Sequence, residues 1–417
     1  MSFERSQAQI LRQRLAESPR FMVVVAGPRQ IGKSTLVRGV LAALSSSFIA
    51  VDIPQAGIDD PLNSAFSMSS RLIPGAAPTA AWLVEQWAAA RAKAKQLPVD
   101  KCHVLAIDEI QKIPRWSEVV KGLWDADRAA GLNMHVVLLG SSPWLMQQGL
   151  SESLAGRFEL IQMTHWSYPE MQEAFDFTLD EYIYFGGYPG AAEFIRDEPR
   201  WRDYVRGALI HPNIEKDILQ MTRVDKPALL KLMFELGCSY SGQIISYTKL
   251  LGQLQDAGNT VTLAHYLALL SQAGLLTGLE KYAGQKHRQR SSSPKLNVLN
   301  TGLMSALSDY SFSEAKADRS YWGRLVESAV GAHLCNSATD TCVVQYWRES
   351  PDEVDFIIAN SRKLVALEVK GGSKFAVPKG LDVFRGKYND AKLILVGEGG
   401  IAITEFLSHP AQYWLEL

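Results

Sequence analysis

Cysteine is scarce in this chain. There are 4 in 417 residues (Cys102, Cys238, Cys335 and Cys342), with no C-x-x-C pair and no spacing that would gather metal ligands. Scattered thiols exclude a disulfide framework and a structural zinc site, and they fit a reducing compartment. Net charge is nearly absent as well: 43 Lys+Arg against 44 Asp+Glu leave −1. That excludes a chain that is basic overall, so any contact with nucleic acid has to come from a local patch. No apolar run approaches the roughly 18 residues of a membrane-spanning helix. The opening MSFERSQAQILRQRLAES lacks the unbroken apolar core of a secretion signal and reads as an amphipathic helix. A cytoplasmic protein with no membrane contact is the expectation. What is plentiful is ordinary: 47% hydrophobic and 21% charged residues indicate a folded globular chain. Its length suggests roughly two to four domains.

The most informative segment is Phe21–Leu36, FMVVVAGPRQIGKSTL. A β-branched run ends in Gly27, and Gly32, Lys33 and Ser34 follow with the G-x-x-x-x-G-K-[ST] spacing of a phosphate-binding loop. Glycines let backbone N–H groups turn inward around phosphate oxygens. Lys33 would reach the β- and γ-phosphates, and the Ser34 hydroxyl would ligate Mg²⁺. A helix starting near Lys33 adds its N-terminal dipole. The ATP-binding stretch is thus Gly27, Pro28, Arg29, Gln30, Ile31, Gly32, Lys33, Ser34 and Thr35.

Val104–Ile110, VLAIDEI, is an apolar strand ending in two carboxylates. Asp108 would hold the Mg²⁺ shell and Glu109 would polarise the attacking water, the pattern of a Walker B strand. A third apolar strand, His135–Gly140, ends in Ser141 and Ser142. A hydroxyl there would orient the lytic water or sense the γ-phosphate; the plain alternative is a strand-end turn. In SLAGRF, Arg157 is a candidate arginine finger, acting on its own nucleotide or on a neighbour's, or else a surface arginine.

Strand and helix patterns alternate from residue 21 to about 165, which predicts a parallel sheet with helices on both faces. Sites in such sheets lie at the carboxyl ends of the strands. The expected strands are Phe21–Ala26, Ser47–Asp52, Val104–Ile107 and His135–Gly140. Residues 166–225 read as a helical, aromatic-rich segment containing the turn FGGYPG, for which the residues offer no chemical reading. Residues 226–312 read as three helices and a hairpin, which suggests a winged helix with Thr260–Ala273 in the recognition position. Lys286, His287, Arg288 and Arg290 would sit on its wing, spaced to touch DNA phosphates. The alternative is a solvated basic loop on a protein-binding module.

Residues 313–417 read as a helix with Glu327, then three strands with Asp355 on the second and Glu368-Val369-Lys370 on the third. Glu368 and Lys370 point to one face. The arrangement fits the PD-(D/E)xK nuclease pattern. Asp355, Glu368 and Glu327 would ligate Mg²⁺ or Mn²⁺ with help from the Val369 carbonyl, and Lys370 would activate water. Against this, E-x-K arises by chance in many sheets.

The chain resembles the prokaryotic AAA+-related ATPases whose C-terminal half is a domain of unknown function. The resemblance rests on GPRQIGKST, IDEIQKIPRW, LLGSSPWLM with SLAGRF, YFGGYPG, SPKLNVLNTGL, GRLVES, EVDFII and ALEVK, in that order. It implies ATP binding by Gly32, Lys33, Ser34 and Thr35, and hydrolysis through Asp108 and Glu109. It also implies a winged helix and a small α/β restriction-endonuclease-like domain. Domain limits are expected at 1–165, 166–225, 226–312 and 313–417. The reading is a Mg²⁺-dependent ATPase of the P-loop class that binds DNA and self-associates, as a hexamer or another oligomer, in repair, recombination or defence. The runner-up is a nucleotide-dependent switch acting on protein partners, with an inactive nuclease fold.

Overall fold

Five short strands of the first half pair into one parallel sheet in the order β2-β3-β4-β1-β5. They are β1 Met22–Ala26, β2 Ser46–Ala50, β3 His103–Asp108, β4 Met134–Gly140 and β5 Phe158–Gln162. The computed structural model describes residues 3–51, 78–141, 153–218, 224, 226–254, 259–283, 292–370 and 379–417. The chain divides into two units, Met1–Met163 and Thr164–Leu417.

In the first unit, β1, β3 and β4 are buried at every residue. Near-continuous apolar sequence demands this of strands covered on both faces. Helices α1 Ser6–Ala16, α2 Lys33–Leu41, α3 Ala80–Gln96 and α4 Trp116–Ala129 alternate with the strands. One face of the sheet, with Val24, Leu105, Ile107, Val136 and Leu138, packs on Leu83 and Trp87 of α3 and on Val120 and Trp124 of α4. Val23, Val25, Ala106, Val137 and Leu139 point to the opposite face and are buried too. Four of the strands fall where the sequence predicts them; β5 does not. FELIQ is mostly half-exposed, so it lacks the continuous apolar run that marks its neighbours. Pairing with β1 makes it a strand: Met22 lies beside Phe158 and Ala26 beside Gln162.

Parallel pairing aligns the carboxyl ends of the central strands. Ala26 lies beside Gly140, and Ile107 beside Leu138. The next residues, Gly27, Ser141 and Asp108, therefore emerge at one edge of the sheet.

In the second unit, helices Pro227–Ser239, Tyr247–Gln253 and Thr260–Gln272 precede an antiparallel pair, β6 Leu276–Leu279 and β7 Lys295–Val298. Asn259 caps the third helix, its Oδ1 accepting the Thr262 N–H at 2.9 Å. The helix Arg319–Ser337 leads into a four-stranded sheet in the order β11-β10-β9-β8. Its members are β8 Val343–Glu349, β9 Asp352–Ala359, β10 Leu364–Lys370 and β11 Lys392–Gly397. The first three run antiparallel; β11 joins β10 in parallel. The FGGYPG turn also finds its reason here. Gly186 holds a φ of 73°, and a Cβ on it would lie 2.0 Å from Asn300 Oδ1. That same oxygen accepts the N–H groups of Gly187 at 3.2 Å and Gly302 at 3.1 Å. The turn and the LNTGL segment are two halves of one packing contact.

Candidate functional site

The phosphate-binding loop leaves β1 at Gly27. A Cβ there would lie 2.0 Å from the Met163 carbonyl oxygen, so only glycine lets the loop pass this backbone. Lys33 begins α2 and is 6% exposed. Its Nζ donates to the carbonyl oxygens of Gly27 at 2.9 Å and Pro28 at 2.7 Å. The lysine charge thus sits within the loop that would enclose a phosphate. Next to it, Ser34 Oγ donates to Asp108 Oδ2 at 2.5 Å. The other oxygen, Asp108 Oδ1, is buried and has no hydrogen-bond partner among the described residues. Burial, against the Ser34 hydrogen bond, raises the Asp108 pKa. A hydroxyl and an unspent carboxylate oxygen in a buried place are the donor set that Mg²⁺ takes. Ser34 and Asp108 fit that ion.

Glu109 follows with a left-handed φ of 57°. This conformation costs a non-glycine residue about 1–2 kcal/mol and is kept only where the surroundings enforce it. Two side chains hold its carboxylate. Ser141 Oγ donates to Glu109 Oε2 at 2.8 Å, and Gln111 Nε2 donates to the same oxygen at 2.5 Å. Ser141 is 5% exposed at the end of β4. Gln111 is absent from the sequence-derived site. Its signal was its place two residues after Glu109, in a one-turn helix Ile110–Lys112 that turns it back.

Arg157 lies elsewhere. It immediately precedes β5, whose first residue pairs with Met22, while the loop leaves after Ala26. The separation along the sheet is about 13 Å. The guanidinium is held by Asp125, at 2.8 Å and 3.0 Å. Action on the chain's own nucleotide is corrected by this placement. The basic group Lys286, His287, Arg288 and Arg290 lies outside the described residues, as does Ser142.

The C-terminal carboxylates do converge. Asp355 on β9 accepts the Val369 N–H at 2.9 Å through Oδ2. Lys370 donates to Glu368 Oε1 at 3.1 Å. Glu368 Oε2 is buried without a hydrogen-bond partner among the described residues. Burial, then the Asp355 charge, pushes Glu327 and Glu368 up to about 7.

At the centre of this group is a residue the sequence reading missed. Lys295, the first residue of β7, has a side chain 0% exposed. Its Nζ lies 2.6 Å from Glu327 Oε1, 3.4 Å from Asp355 Oδ1 and 3.9 Å from Glu353 Oε1. It also donates to the Asp355 carbonyl oxygen at 3.1 Å. Burial by itself would lower its pKa; the charges of Asp355 and Glu327 outweigh that and hold it above a free lysine's. A dication about 4 Å from this fixed ammonium would meet roughly 8 kcal/mol of repulsion at the effective dielectric typical of protein sites. Two of the carboxylates expected to ligate Mg²⁺ or Mn²⁺, Glu327 and Asp355, are instead paired with this ammonium. Among the described residues, no set of three or more His, Cys, Asp or Glu is disposed to hold an ion. No described helix is long and apolar enough to cross a membrane.

Residues 19–172 match the family model described as an AAA domain. Residues 176–314 and 322–405 match two domains of unknown function, DUF8612 and DUF4143. No curated protein matches the chain. Among solved structures, the Walker-type ATPase paby2304 of Pyrococcus abyssi is similar at 16% identity, covering 73% of this chain and 95% of its own, with a TM-score of 0.48. The Aeropyrum pernix Orc1 protein, solved in complex with DNA, shows 12% identity over 74% of this chain and 92% of its own, at a TM-score of 0.30. AMPPCP-bound DnaA from Aquifex aeolicus shows 13% identity over 64% and 87%, at 0.31.

Proposed function

We propose that this chain, an AAA-type P-loop ATPase over residues 19–172, hydrolyses ATP with Mg²⁺ and transmits the cycle to DNA through its second unit. The observation that carries the first half is the joint placement of Lys33, the Ser34–Asp108 pair and the Glu109–Ser141 pair at one sheet edge. Bound Mg²⁺ supplies charge neutralisation at the β- and γ-phosphate oxygens. The chain's own residues do the rest. Lys33 exchanges its carbonyl partners for phosphate oxygens, and loop N–H groups orient the chain of phosphates. Glu109 takes a proton from the attacking water, its carboxylate aimed by Ser141 and Gln111.

Lys33→Ala is expected to weaken ATP binding and abolish turnover. Glu109→Gln should keep ATP affinity while lowering the hydrolysis rate by about 10²-fold or more. Binding by fluorescent nucleotide and turnover by phosphate release separate the two. Undiminished hydrolysis in Glu109→Gln would remove the assignment.

For DNA, the three helices and the β6–β7 pair support a winged-helix reading, with phosphate contact by Lys286, His287, Arg288 and Arg290. Neutralising Lys286, Arg288 and Arg290 together should make the log–log salt slope of duplex binding shallower by roughly 3 × 0.9. An unchanged affinity and slope would favour the second reading, a switch acting on protein partners. One observation favours that reading already: the helix Thr260–Gln272 has neither Lys nor Arg, and Val261 on it is 73% exposed. The four-stranded sheet with its converging Asp355, Glu368 and Lys370 supports a nuclease-like fold for the last segment. Self-association, with Arg157 serving a neighbouring copy, belongs to the same proposal.

A further inference from the structure

We propose that Lys295 is the resident cation of a latent divalent-metal site. Its ammonium holds the position that Glu327, Asp355 and Glu368 would otherwise offer to Mg²⁺ or Mn²⁺, so the natural chain carries no metal there. The proposal rests on the nuclease-like reading of the last segment, because that reading makes the carboxylate group a metal position.

Three observations lead to it. Glu327 from a helix and Glu353 and Asp355 from β9 lie within 3.9 Å of one ammonium that contributes a single charge, and Glu368 on β10 feels the charge of Asp355 beside it. Second, the group retains ligand capacity that the lysine does not use. Glu368 is 9% exposed, and its Oε2 is buried with no hydrogen-bond partner among the described residues. Third, the lysine belongs to a different part of the chain from the sheet it enters. It is anchored at the start of β7, whose strand partner is β6, and its Nζ lies 4.8 Å from the centre of the Phe356 ring on β9. A buried ammonium is tolerated only with such pairing. Removing it leaves several carboxylates in mutual repulsion, which a dication relieves. On this proposal a side chain from β7 stands in the ion's place.

The test is Mn²⁺ binding by the full chain, read from loss of the free-ion electron paramagnetic resonance signal without nucleotide. An Asp108→Asn background removes the contribution of the phosphate-binding loop. The parent is expected to bind no Mn²⁺ at the C-terminal group. Lys295→Ala should bind one ion per chain, at least about tenfold more tightly than any parental binding, and adding Asp355→Asn should remove it. Lys295→Met keeps an apolar stem against Phe356 and repeats the measurement should the alanine variant not fold, as judged by circular dichroism. Parental binding abolished by Asp355→Asn would overturn the proposal, because the lysine would then yield to metal, and would leave the nuclease-like reading standing. A folded Lys295→Ala or Lys295→Met chain that binds no Mn²⁺ would overturn it as well. Binding that survives both Asp355→Asn and Glu368→Gln would locate the ion elsewhere and remove the nuclease-like reading with it.

Discussion

In the proposed ATPase Glu109 carries the hydrolytic step, and its position is the work of neighbours. A carboxylate at the end of a strand has several rotamers; Ser141 and Gln111 select one by donating to the same oxygen. Each hydrogen bond contributes about 1 kcal/mol net, so losing one should lower turnover by roughly five- to tenfold. Gln111→Ala is accordingly expected to reduce kcat with ATP affinity unchanged, and Gln111→Glu to reduce it further through like-charge repulsion. Equal turnover in Gln111→Ala and the parent, measured at saturating ATP, would make Gln111 a bystander. Glu109 and Ser141 were legible in the sequence because each ends an apolar run. Gln111 was not, because a short polar residue after a motif has no pattern of its own.

At the scale of elements, α3 and α4 are fastened to each other as well as to the sheet. Trp87 is fully buried, and its indole N–H donates to Asp127 Oδ2 at 2.7 Å. Arg91 Nε reaches Asp127 Oδ1 at 2.6 Å and so balances that buried charge. Trp87→Ala removes a large apolar volume and strips one donor from a buried carboxylate. The expected cost is about 3–5 kcal/mol of unfolding free energy, read as a lower urea midpoint. Trp87→Phe keeps most of the packing and should cost visibly less. Helices and central strands of this unit followed from periodicity, but β5 here and β11 in the second unit did not. β5 is half-exposed, and β11 follows a helix that the sequence reading did not register. Both join the edge of a sheet, where pairing with a neighbour outweighs a weak local pattern.

For the whole molecule, near-zero net charge leaves little global repulsion at neutral pH. The response to acid then belongs to particular buried groups. His103 sits between the hydroxyls of Ser45 at 2.9 Å and Ser47 at 3.1 Å. Burial, then the Lys93 charge, lowers its pKa from 6.5 to about 4. Burial lowers His135 in the same unit. A base with a depressed folded pKa binds fewer protons folded than unfolded. Stability is therefore fully present above pH 6.5 and falls as pH drops towards 4, by roughly 3 kcal/mol at most from His103. The raised carboxyls of Glu327 and Glu368 act in the opposite sense, so the contribution of His103 is read as a difference: the urea midpoint of the parent should fall relative to that of His103→Asn as pH drops through this window. A difference between parent and His103→Asn that stays constant from pH 6.5 to 4 would contradict this account.

The sequence by itself determined the candidate nucleotide site, because a phosphate-binding loop is local: its glycines, lysine and serine lie within one strand–loop–helix unit and need little else to find their geometry. It also determined the order of β1 to β4 and the helices between them through their periodicities, but not β5. Tertiary structure alone decided what the C-terminal carboxylates hold. Lys295 and Asp355 are sixty residues apart, and nothing near Lys295 in KLNVLN announces a partner. Only the packing of β7 against β9 and the Glu327 helix brings the ammonium to the carboxylates, and burial of opposite charges then fixes it there. In the same way, only strand register removed Arg157 from its own chain's phosphate loop, because a motif gives a residue's order along the chain and pairing gives its end of the sheet.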